Sequence, residues 1–451
     1  MRTLGLILLM SRGFGGPAAA AEVPEFTQTL SGAIQAAREH SADLKSSRAE
    51  ADAARHQADA SRAPLYPNLS VDGYQYYQRR VPTIDLGPAG VSSFGTHDNY
   101  AFGPTLTYTL FDGGKRGANS ESSALLAKAR ESEAGAREQA LILDVRRAYF
   151  HVQYAMKQVS LTADLYRLSS AQSSDIDLRF REGSSSKLDQ VQAKRDVTAN
   201  VLRFQQAQNE LAVAFRDLAA LLGAPSGNDA SFPVPSEMSE KTPDGLPSPT
   251  LRISLDPLDA TLAAYKPQAA APSLEEHPEI RSLRYESESS KAAARGEKAG
   301  LWPVLSLQAR EQYQYPYAIF AQNVWQGFYG ATLSVPVFEG GASGGRAAER
   351  LSESESYARR REQRVTDLES LESKAADALA SLRSQREASL EHVRQAQEVE
   401  RLTYDSYKTG EARYLDVQDA NVKLLQAQVE QAQLESAILS QTALADYLSA
   451  R

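Results

Sequence analysis

The sequence predicts a mainly α-helical protein whose few β-strands form part of a membrane β-barrel. Three observations lead to this fold class. The chain is a two-fold internal duplication, and each copy contains a helical stretch too long for a globular core. Each copy also contains one strand hairpin of alternating polar and apolar residues, rich in tyrosine.

The duplication is visible in two short phrases. "TYTLFDGG" (107–114) returns as "SVPVFEGG" (334–341), at an offset of 227 positions. Upstream, "LYPNLSV" (65–71) matches "LWPVLSL" (301–307) at an offset of 236, so nine residues are lost between the two phrases of the second copy. A period of this length indicates one large duplicated unit rather than a solenoid of short repeats.

The offsets divide the chain into four predicted parts. Residues 1–21 form an export signal, 22–224 the first repeat, 225–275 a linker, and 276–451 the second repeat. The linker is rich in proline, because nine of the chain's 20 prolines lie within it and a tenth follows at position 278. In the export signal, Arg2 precedes a short apolar core, and three alanines end at position 21.

Composition narrows the function. The net charge of -8, with no basic stripe, argues against a nucleic-acid partner. The absence of cysteine excludes disulfides, thiolate catalysis and zinc–thiolate sites. No apolar run after the signal approaches the roughly 18 residues of a membrane-spanning helix. An exported chain that spans a membrane must then do so as a barrel.

Each repeat begins with a helix that leads into a strand. The predicted helices cover residues 33–62 and 277–298, and "YP" or "WP" follows each, because proline cannot continue a helix. The alternating stretches that begin at Asn68 and Val304 are the outgoing strands. The return strands are predicted at 100–111 and 328–338, and the connecting loop is longer in the first copy.

A pair of long helices completes each repeat. From Lys115 to Phe180 there is no proline, and 66 helical residues would span about 99 Å. Apolar and small residues recur there at steps of 3 and 4, which is the spacing of a coiled coil. These seam positions are Val145, Ala148, Val152, Ala155 and Val159, and on the returning helix Val197, Val201, Phe204, Gln208, Leu211, Phe215, Leu218 and Leu222.

Glycines mark the two kinds of corner in each repeat. Gly183 and Gly410 are predicted to end the long helices in the left-handed conformation, giving tight helical hairpins. Pairs of glycines stand where each return strand passes into a long helix, and their backbone freedom allows that change. These strand-to-helix hinges are Gly113, Gly114, Gly340 and Gly341.

Four strands cannot close a barrel, since closed barrels start near eight strands. The chain is therefore expected to assemble with copies of itself. Two copies would give eight strands and an interior filled by side chains, whereas three would give twelve strands and leave a passage. The tyrosines of the hairpins suit the aromatic belts found where a barrel meets the membrane surface.

Taken together, these features resemble the TolC family of outer-membrane efflux and secretion channels. The resemblance rests on the duplication, the four quoted phrases, and the turns "REGSSSKLDQVQA" (181–193) and "KTGEARYLDVQDA" (408–420). It implies a homotrimer with a twelve-strand barrel in the outer membrane of a Gram-negative bacterium. A long coiled-coil helical barrel would continue this α/β tube through the periplasm. The tube would be the exit duct of a tripartite efflux or type I secretion system.

The resemblance also implies roles for the hairpin turns. A periplasmic adaptor (membrane fusion protein) and an inner-membrane pump would dock at tips formed around Gly183, Leu188, Gly410 and Leu415.

Aperture acids of the family fall at Asp189, Asp416 and Asp419, and Tyr407 matches a tyrosine that holds the tip closed. Arg413 lies one residue later than the aperture arginine of the family. The alternative is that the acids only favour the positive end of a helix dipole.

No catalytic, cofactor or metal site is expected. "GASGG" around Ser343 has the form of a nucleophile elbow, but the first copy reads "GGKRG" and has no serine. The six histidines include no pair four residues apart. A structural coiled-coil protein, such as a periplasm-spanning adaptor without a pore, is the competing hypothesis. The two amphipathic hairpins favour the channel.

Overall fold

A computed structural model describes the chain except for several segments. The described residues are 26–27, 29–85, 87–93, 95–223, 253–266, 274–318 and 320–449. The predicted export signal (1–21) and most of the predicted linker (225–275) lie outside them.

Helices make up most of the described residues. In chain order they are α1 Leu30–His40, α2 Ala42–Arg62, α3 Lys115–Arg181, α4 Lys187–Leu221, α5 Leu258–Ala264, α6 Pro278–Ala299, α7 Ala342–Thr409 and α8 Tyr414–Leu448. The predicted long helices are confirmed, with 67 residues in α3 and 68 in α7. No helix of the described ranges is long and apolar enough to cross a membrane.

The predicted first helix is wrong in one respect, because it is two helices. The chain breaks at Ser41, whose side chain accepts a hydrogen bond from the Leu44 amide (3.2 Å) and so caps the start of α2. A serine that caps a helix competes with continuous helical geometry, and this local bond was not read from the sequence.

The strands are β1 Phe26–Thr27, β2 Asn68–Tyr77, β3 Thr83–Asp85, β4 Val91–Ser93, β5 Asp98–Phe111, β6 Ile253–Ser254, β7 Val304–Tyr315 and β8 Val324–Ser334. The longer loop of the first copy carries the small β3–β4 hairpin. The predicted end of the second return strand is wrong, because β8 stops at Ser334 rather than at Phe338. Pro336 has no amide to donate, and β7 pairs with β8 only as far as Ser334.

The four long strands form one antiparallel sheet in the order β2-β5-β7-β8. Asn68 pairs with Thr107 in the first hairpin, and Val304 pairs with Ser334 in the second. These pairs are equivalent under the two sequence offsets, because Val304 lies 236 after Asn68 and Ser334 lies 227 after Thr107. The duplication therefore extends to strand register. Within the described residues, β2 and β8 each have one edge without a partner strand.

The chain divides into two compact units. We call the first the strand unit, which comprises residues 37–146, 266–384 and 438–451. The second, the turn unit, comprises the described residues of 1–36 together with 147–265 and 385–437. Each unit contains parts of both sequence repeats.

In the strand unit, serine hydroxyls tie α6 to its neighbours. Ser282 donates to the Ala129 carbonyl of α3 (3.1 Å), and Ser289 donates to that of Ser122 (2.8 Å). On the other side, Ser287 donates to the Ser354 carbonyl of α7 (3.0 Å). Side chains this small let helix backbones approach closely, and their hydroxyls find acceptors in the neighbouring backbone.

In the turn unit, α4 buries the predicted seam. Phe204, Leu211, Phe215 and Leu218 are all buried, and Phe204 packs with Ala163 and Tyr166 of α3. Gln153 of α3 donates to the Asp256 carbonyl (2.6 Å), which fixes the segment that leads into α5. Strand β6 of that segment pairs with β1 in parallel.

A half-buried ionic cluster fixes the start of α6 in the strand unit. The Glu279 carboxylate accepts from Arg364 and from the Tyr447 hydroxyl (2.8 Å), while the His277 ring packs edge-on against Tyr447. Burial alone would raise the pKa of Glu279, but the bonds from Arg364 and Tyr447 outweigh it and hold this pKa below its usual range.

The Glu279 cluster predicts a pH-dependent stability. A carboxyl whose pKa is lowered by folding stabilises the protein above its unfolded pKa and loses this contribution as pH falls through the folded pKa. Glu279→Gln should therefore destabilise the protein at pH 7 by about 2 kcal/mol. The difference from wild type should shrink below about pH 4. Thermal unfolding followed by circular dichroism measures it.

The exposed neighbour Glu276 provides a matched control as Glu276→Gln, which should unfold like wild type at each pH. A Glu279→Gln variant as stable as this control at pH 7 would show that the cluster contributes nothing.

Candidate functional site

The two helical hairpin turns are the candidate site, and both have the same backbone. Gly183 and Gly410 have φ of +78° and +83°, as predicted. The Ser184 amide reaches back to the Arg179 carbonyl (2.8 Å), and the Glu411 amide reaches back to that of Ser406 (2.9 Å). These bonds satisfy the last carbonyls of α3 and α7, which end on a left-handed glycine.

The helices that leave the turns start differently. Ser186 caps α4, accepting from the Asp189 amide (3.0 Å), and the Asp189 carboxylate accepts in return from the Ser186 amide (3.4 Å). This is a complete capping box. Arg413 stands at the equivalent position before α8 and has no side-chain acceptor. Only one half of the motif remains there, the Arg413 amide donating to Asp416 (3.0 Å).

The predicted aperture acids thus have distinct surroundings. Asp189 and Asp416 each bind a backbone amide at the start of a helix. Asp419 lies one turn further along α8 and pairs with Lys423 (2.7 Å) in an exposed ion pair. Asp416 is also 3.7 Å from the Arg413 guanidinium. The carboxylates of Asp416 and Asp419 are both solvent-exposed, so both can meet an ion from water.

A small aromatic core joins the two turns. Ile176 and Ala193 from the first hairpin pack with Tyr414 and Val417 from the second, and all four are at most 1 % exposed. Tyr407 lies against this core, with its ring 5.7 Å from that of Tyr414. The sequence pointed to Tyr407, but it gave no reason to select Tyr414, which directly precedes the predicted tip residue Leu415.

Tyrosine hydroxyls link the hairpins at the rim of this core. Tyr404 donates to Asp175 (3.2 Å), which also accepts from Arg179 (3.0 Å). The Tyr407 hydroxyl lies 3.3 Å from that of Ser185. Burial, reinforced by Asp175, raises the pKa of Tyr404 to about 12, and burial also raises the pKa of Tyr407. Both phenols therefore remain neutral at physiological pH.

A buried carboxylate lies deeper between the hairpins. Asp196 of α4 is 5 % exposed and accepts from Gln418 of α8 and from Arg195 (3.3 Å). Burial raises its pKa above the usual range despite the Arg195 charge, and it faces the Tyr414 hydroxyl. Asp196 was not predicted from the sequence. Its only signal there is an acid directly before the seam residue Val197.

The outer side of the turns is apolar in places. Leu188 is 64 % exposed and Leu415 is 48 % exposed, and Val191 lies one turn along α4 from Leu188 and is also exposed. Leu188 and Leu415 are predicted tip residues, and the structure exposes both to water rather than burying them in the aromatic core. Exposed leucines on a rigid turn are available to another protein.

The strand-to-helix hinges have the predicted backbone. Gly113, Gly114, Gly340 and Gly341 all have positive φ, between +61° and +88°. Asp112 binds the first amides of α3, accepting from Gly114 (3.1 Å) and Arg116 (2.9 Å). An acid at this position stabilises the positive end of the helix dipole as well as the free amides.

The nucleophile-elbow pattern has an ordinary structural use. Ser343 is buried in the first turn of α7, where its hydroxyl donates to Glu339. The described part of the chain contains no cluster of three or more His, Asp or Glu side chains that could hold a metal ion.

Comparison with known proteins follows from these features. The model of the outer membrane efflux protein family matches residues 33–224 and 271–448. No curated protein matches the chain significantly.

Several solved structures share the fold. A membrane protein from Pseudomonas aeruginosa is 20 % identical, with a TM-score of 0.75 over 93 % of this chain and 92 % of that one. The outer membrane protein VceC of Vibrio cholerae is 18 % identical, with a TM-score of 0.73 over 93 % and 96 %. The MtrE outer membrane channel of Neisseria gonorrhoeae, in its open state, is 20 % identical, with a TM-score of 0.73 over 93 % and 88 %.

The two roles open to the turn acids predict different effects on the backbone. Asp189→Ala removes half of a capping box, worth about 1 kcal/mol, so amides 186–190 should exchange with deuterium about five-fold faster. Asp419→Ala breaks only an exposed ion pair and should leave the amides of α8 unchanged. Hydrogen–deuterium exchange of the purified protein measures both. Equal exchange in Asp189→Ala and wild type would contradict the capping role.

Proposed function

The chain belongs to the outer membrane efflux protein family, and from this premise we propose that three copies form an exit duct through the outer membrane and periplasm. Outer-membrane efflux is the function of the protein. The observation that carries the proposed assembly is the four-stranded sheet, which has two unpaired edges in the described part of the chain and two chemically different faces.

One face of the sheet is apolar and the other is polar. Leu69, Leu106, Ala309 and Tyr329 pair across the four strands in one row. The adjacent row contains Asn68, Thr107, Gln308 and Gly330. Successive residues of a strand point to opposite faces, so these rows lie on opposite sides of the sheet. Leu69, Leu106 and Tyr329 are exposed. This pattern supports lipid outside and water inside.

Aromatic rings gather near the loop end of the sheet. Tyr100 stacks on Tyr315 at 5.4 Å between centroids, and Phe102 and Trp325 each lie against Tyr313. Rings of this kind favour the boundary between hydrocarbon and water, where one end is apolar and the other is wet. They support a membrane surface at this level of the hairpins.

Three copies close the sheet with every strand antiparallel. The described strands alternate in direction from β2 to β8, so β8 of one copy can pair with β2 of the next. Twelve strands leave an aqueous passage, whereas eight would be filled by side chains. A coiled-coil protein without a pore would leave both the sheet edges and the apolar face unexplained.

The long helices support a duct that continues into the periplasm. Helices α3 and α7 have 67 and 68 residues, enough for about 100 Å each at 1.5 Å per residue. In three copies, these helices and the helices that return beside them would form the wall of a helical barrel. The hairpin turns would then be its periplasmic end.

The turns are proposed as the docking and gating end of the duct. The exposed Leu188 and Leu415 suit a periplasmic adaptor protein that carries an inner-membrane pump. The bonds of Tyr404 to Asp175 and of Tyr407 to Ser185 hold the two hairpins of one copy together, which would keep the end narrow. No catalytic role is proposed for the duct.

The acids at this end are proposed to form rings around the axis. Asp416 and Asp419 would each occur three times, giving six carboxylates within about one helical turn. Rings of acid concentrate cations and exclude anions. The capping bond of Asp416 is compatible with this role, because a carboxylate has several acceptor positions and this one stays exposed.

Channel conductance tests the gate. In planar bilayers, a trivalent cation such as hexaamminecobalt(III), added on the turn side, should block the wild-type protein. Asp416→Asn combined with Asp419→Asn should weaken the block at least tenfold and reduce the preference for cations, because the charge rings are removed. Asp164→Asn on α3, which removes an exposed acid paired with Arg167, should be blocked like wild type.

Equal block of the double variant and wild type would show that these acids have only local roles, Asp416 at the start of α8 and Asp419 in its ion pair with Lys423. A protein that inserts no conducting pores at all would contradict the channel itself.

A further inference from the structure

Within the described ranges, the end of β8 lacks a neighbouring strand that the equivalent end of β5 possesses. Phe111 ends β5 and pairs with Leu305 of β7. Its repeat equivalent, Phe338, lies four residues beyond the end of β8 and is 90 % exposed, and Val337 is 92 % exposed. Two differences separate the two ends. Pro336 stands where β5 has Thr109 and has no amide to donate, and within the described residues no strand flanks residues 335–338, whereas β7 flanks the equivalent end of β5.

The internal repeat identifies the missing neighbour. Strand β8 is equivalent to β5, and β2 is equivalent to β7. The observed β5–β7 junction joins the first repeat to the second within one chain. Its equivalent would join β8 to a β2 strand. The chain's own β2 already lies at the far edge of the sheet, so a second copy must supply that strand.

The two sequence offsets convert the residue pairs of the observed β5–β7 junction into the expected pairs between β8 and the β2 of a second copy. Thr107 pairs with Gln308 within the chain, and these positions correspond to Ser334 and Asp72. In the same way, the pair of Tyr108 with Leu307 becomes Val335 with Val71. The same conversion between the two hairpins reproduces the observed pairing of Val304 with Ser334, so the offsets hold for strand register.

The polar and apolar faces of the sheet are consistent with the pairing of Ser334 with Asp72. Asp72 follows Val71 along β2, and Val71 is on the face of Leu69, so Asp72 lies on the polar face. Ser334 is likewise next to Leu333, which pairs with Leu305. The register thus sets polar against polar and valine against valine. A slip by one residue would place Asp72 against an apolar partner.

A second feature of the junction is incomplete in one chain. Trp302 packs directly against Gly113, where an added Cβ would lie 2.5 Å from the Cβ of Trp302. The equivalent positions are Gly340 and Tyr66. Within the described residues, nothing lies within 4 Å of the Cβ position of Gly340, and Tyr66 is 69 % exposed. Each is available to the other from a neighbouring copy.

We propose that β8 of one copy pairs with β2 of the next with Ser334 opposite Asp72. This pairing extends β8 through Val335 and lets Tyr66 of the next copy cover Gly340. The inference rests on the proposed trimer and adds the residue-level contacts of its junction. The partner is a second copy of this chain, because only that copy presents the complementary edge and the exposed tyrosine together.

Disulfide trapping tests the register. Because the chain has no cysteine of its own, only the introduced cysteines can form disulfides. Ser334→Cys is combined in turn with Ser70→Cys, Asp72→Cys and Tyr74→Cys, which share one face of β2. Directly opposed Cβ atoms are about 5 Å apart and diagonal ones about 7–8 Å. Oxidation of membranes should therefore link copies at least tenfold faster through Asp72→Cys than through the other two. Thr107→Cys with Gln308→Cys, the equivalent pair within one chain, is the matched control.

Outcomes separate the inference from the trimer on which it rests. Trimers whose fastest pair contains Ser70→Cys or Tyr74→Cys would overturn the register and leave the duct intact. If the intrachain control forms its disulfide completely while every Ser334→Cys combination stays monomeric and unlinked, both the register and the trimer are overturned.

The packing of Tyr66 has its own readout. Tyr66→Ala should lower the temperature at which trimers dissociate on gels by several degrees, while Asp72→Cys stays the fastest partner. Tyr317→Ala, in the loop of the second hairpin, should not change the dissociation temperature. An unchanged temperature for Tyr66→Ala would remove this side chain from the junction.

Discussion

In a membrane, every backbone N–H and C=O group of a strand needs a hydrogen-bond partner within the protein. This constraint underlies the rest of the structure. Four strands from one chain cannot meet this need, because among the residues that the structure describes β2 and β8 each keep an open edge. Lipid around the apolar face would leave those edges without water as a substitute partner. In the proposed trimer, identical copies satisfy the edges, and their long helices would then surround one passage. The open edge thus links the proposed oligomer to the proposed duct.

The internal duplication repeats the same strand pairing in both halves of the chain. The two hairpins share one register under their offsets, and the same kind of junction can join repeats within a chain and between chains. Glycines of positive φ serve both corners of each repeat, and acids start the helices that follow. At the turns the copies diverge. Ser186 completes a capping box, whereas Arg413 gives up the side-chain acceptor and brings a positive charge. Sequence divergence is therefore tolerated where the turn glycine alone fixes the backbone.

Much of the fold could be predicted from the sequence, because its signals are local or periodic. The long helices, the left-handed Gly183 and Gly410 and the buried seam of α4 all follow from spacing and residue type. Two features were missed. The end of β8 at Ser334 was predicted too late although Pro336 is visible in the sequence, and the burial of Asp196 involves Gln418, which is more than 200 positions away. The positions of the two helical hairpin turns were predicted correctly, the aromatic core between them was not, and their role as the docking and gating end stays a prediction.

The native mass of the detergent-solubilised protein tests the central claim most directly. If open sheet edges enforce assembly, native mass spectrometry of protein extracted from outer membranes should show three chains and no lasting population of one or two. The trimer should persist on dilution, because each copy would have to expose two strand edges to leave it. A stable monomer in detergent that inserts into liposomes with its sheet folded would contradict the account. A closed dimer would contradict the twelve-strand passage.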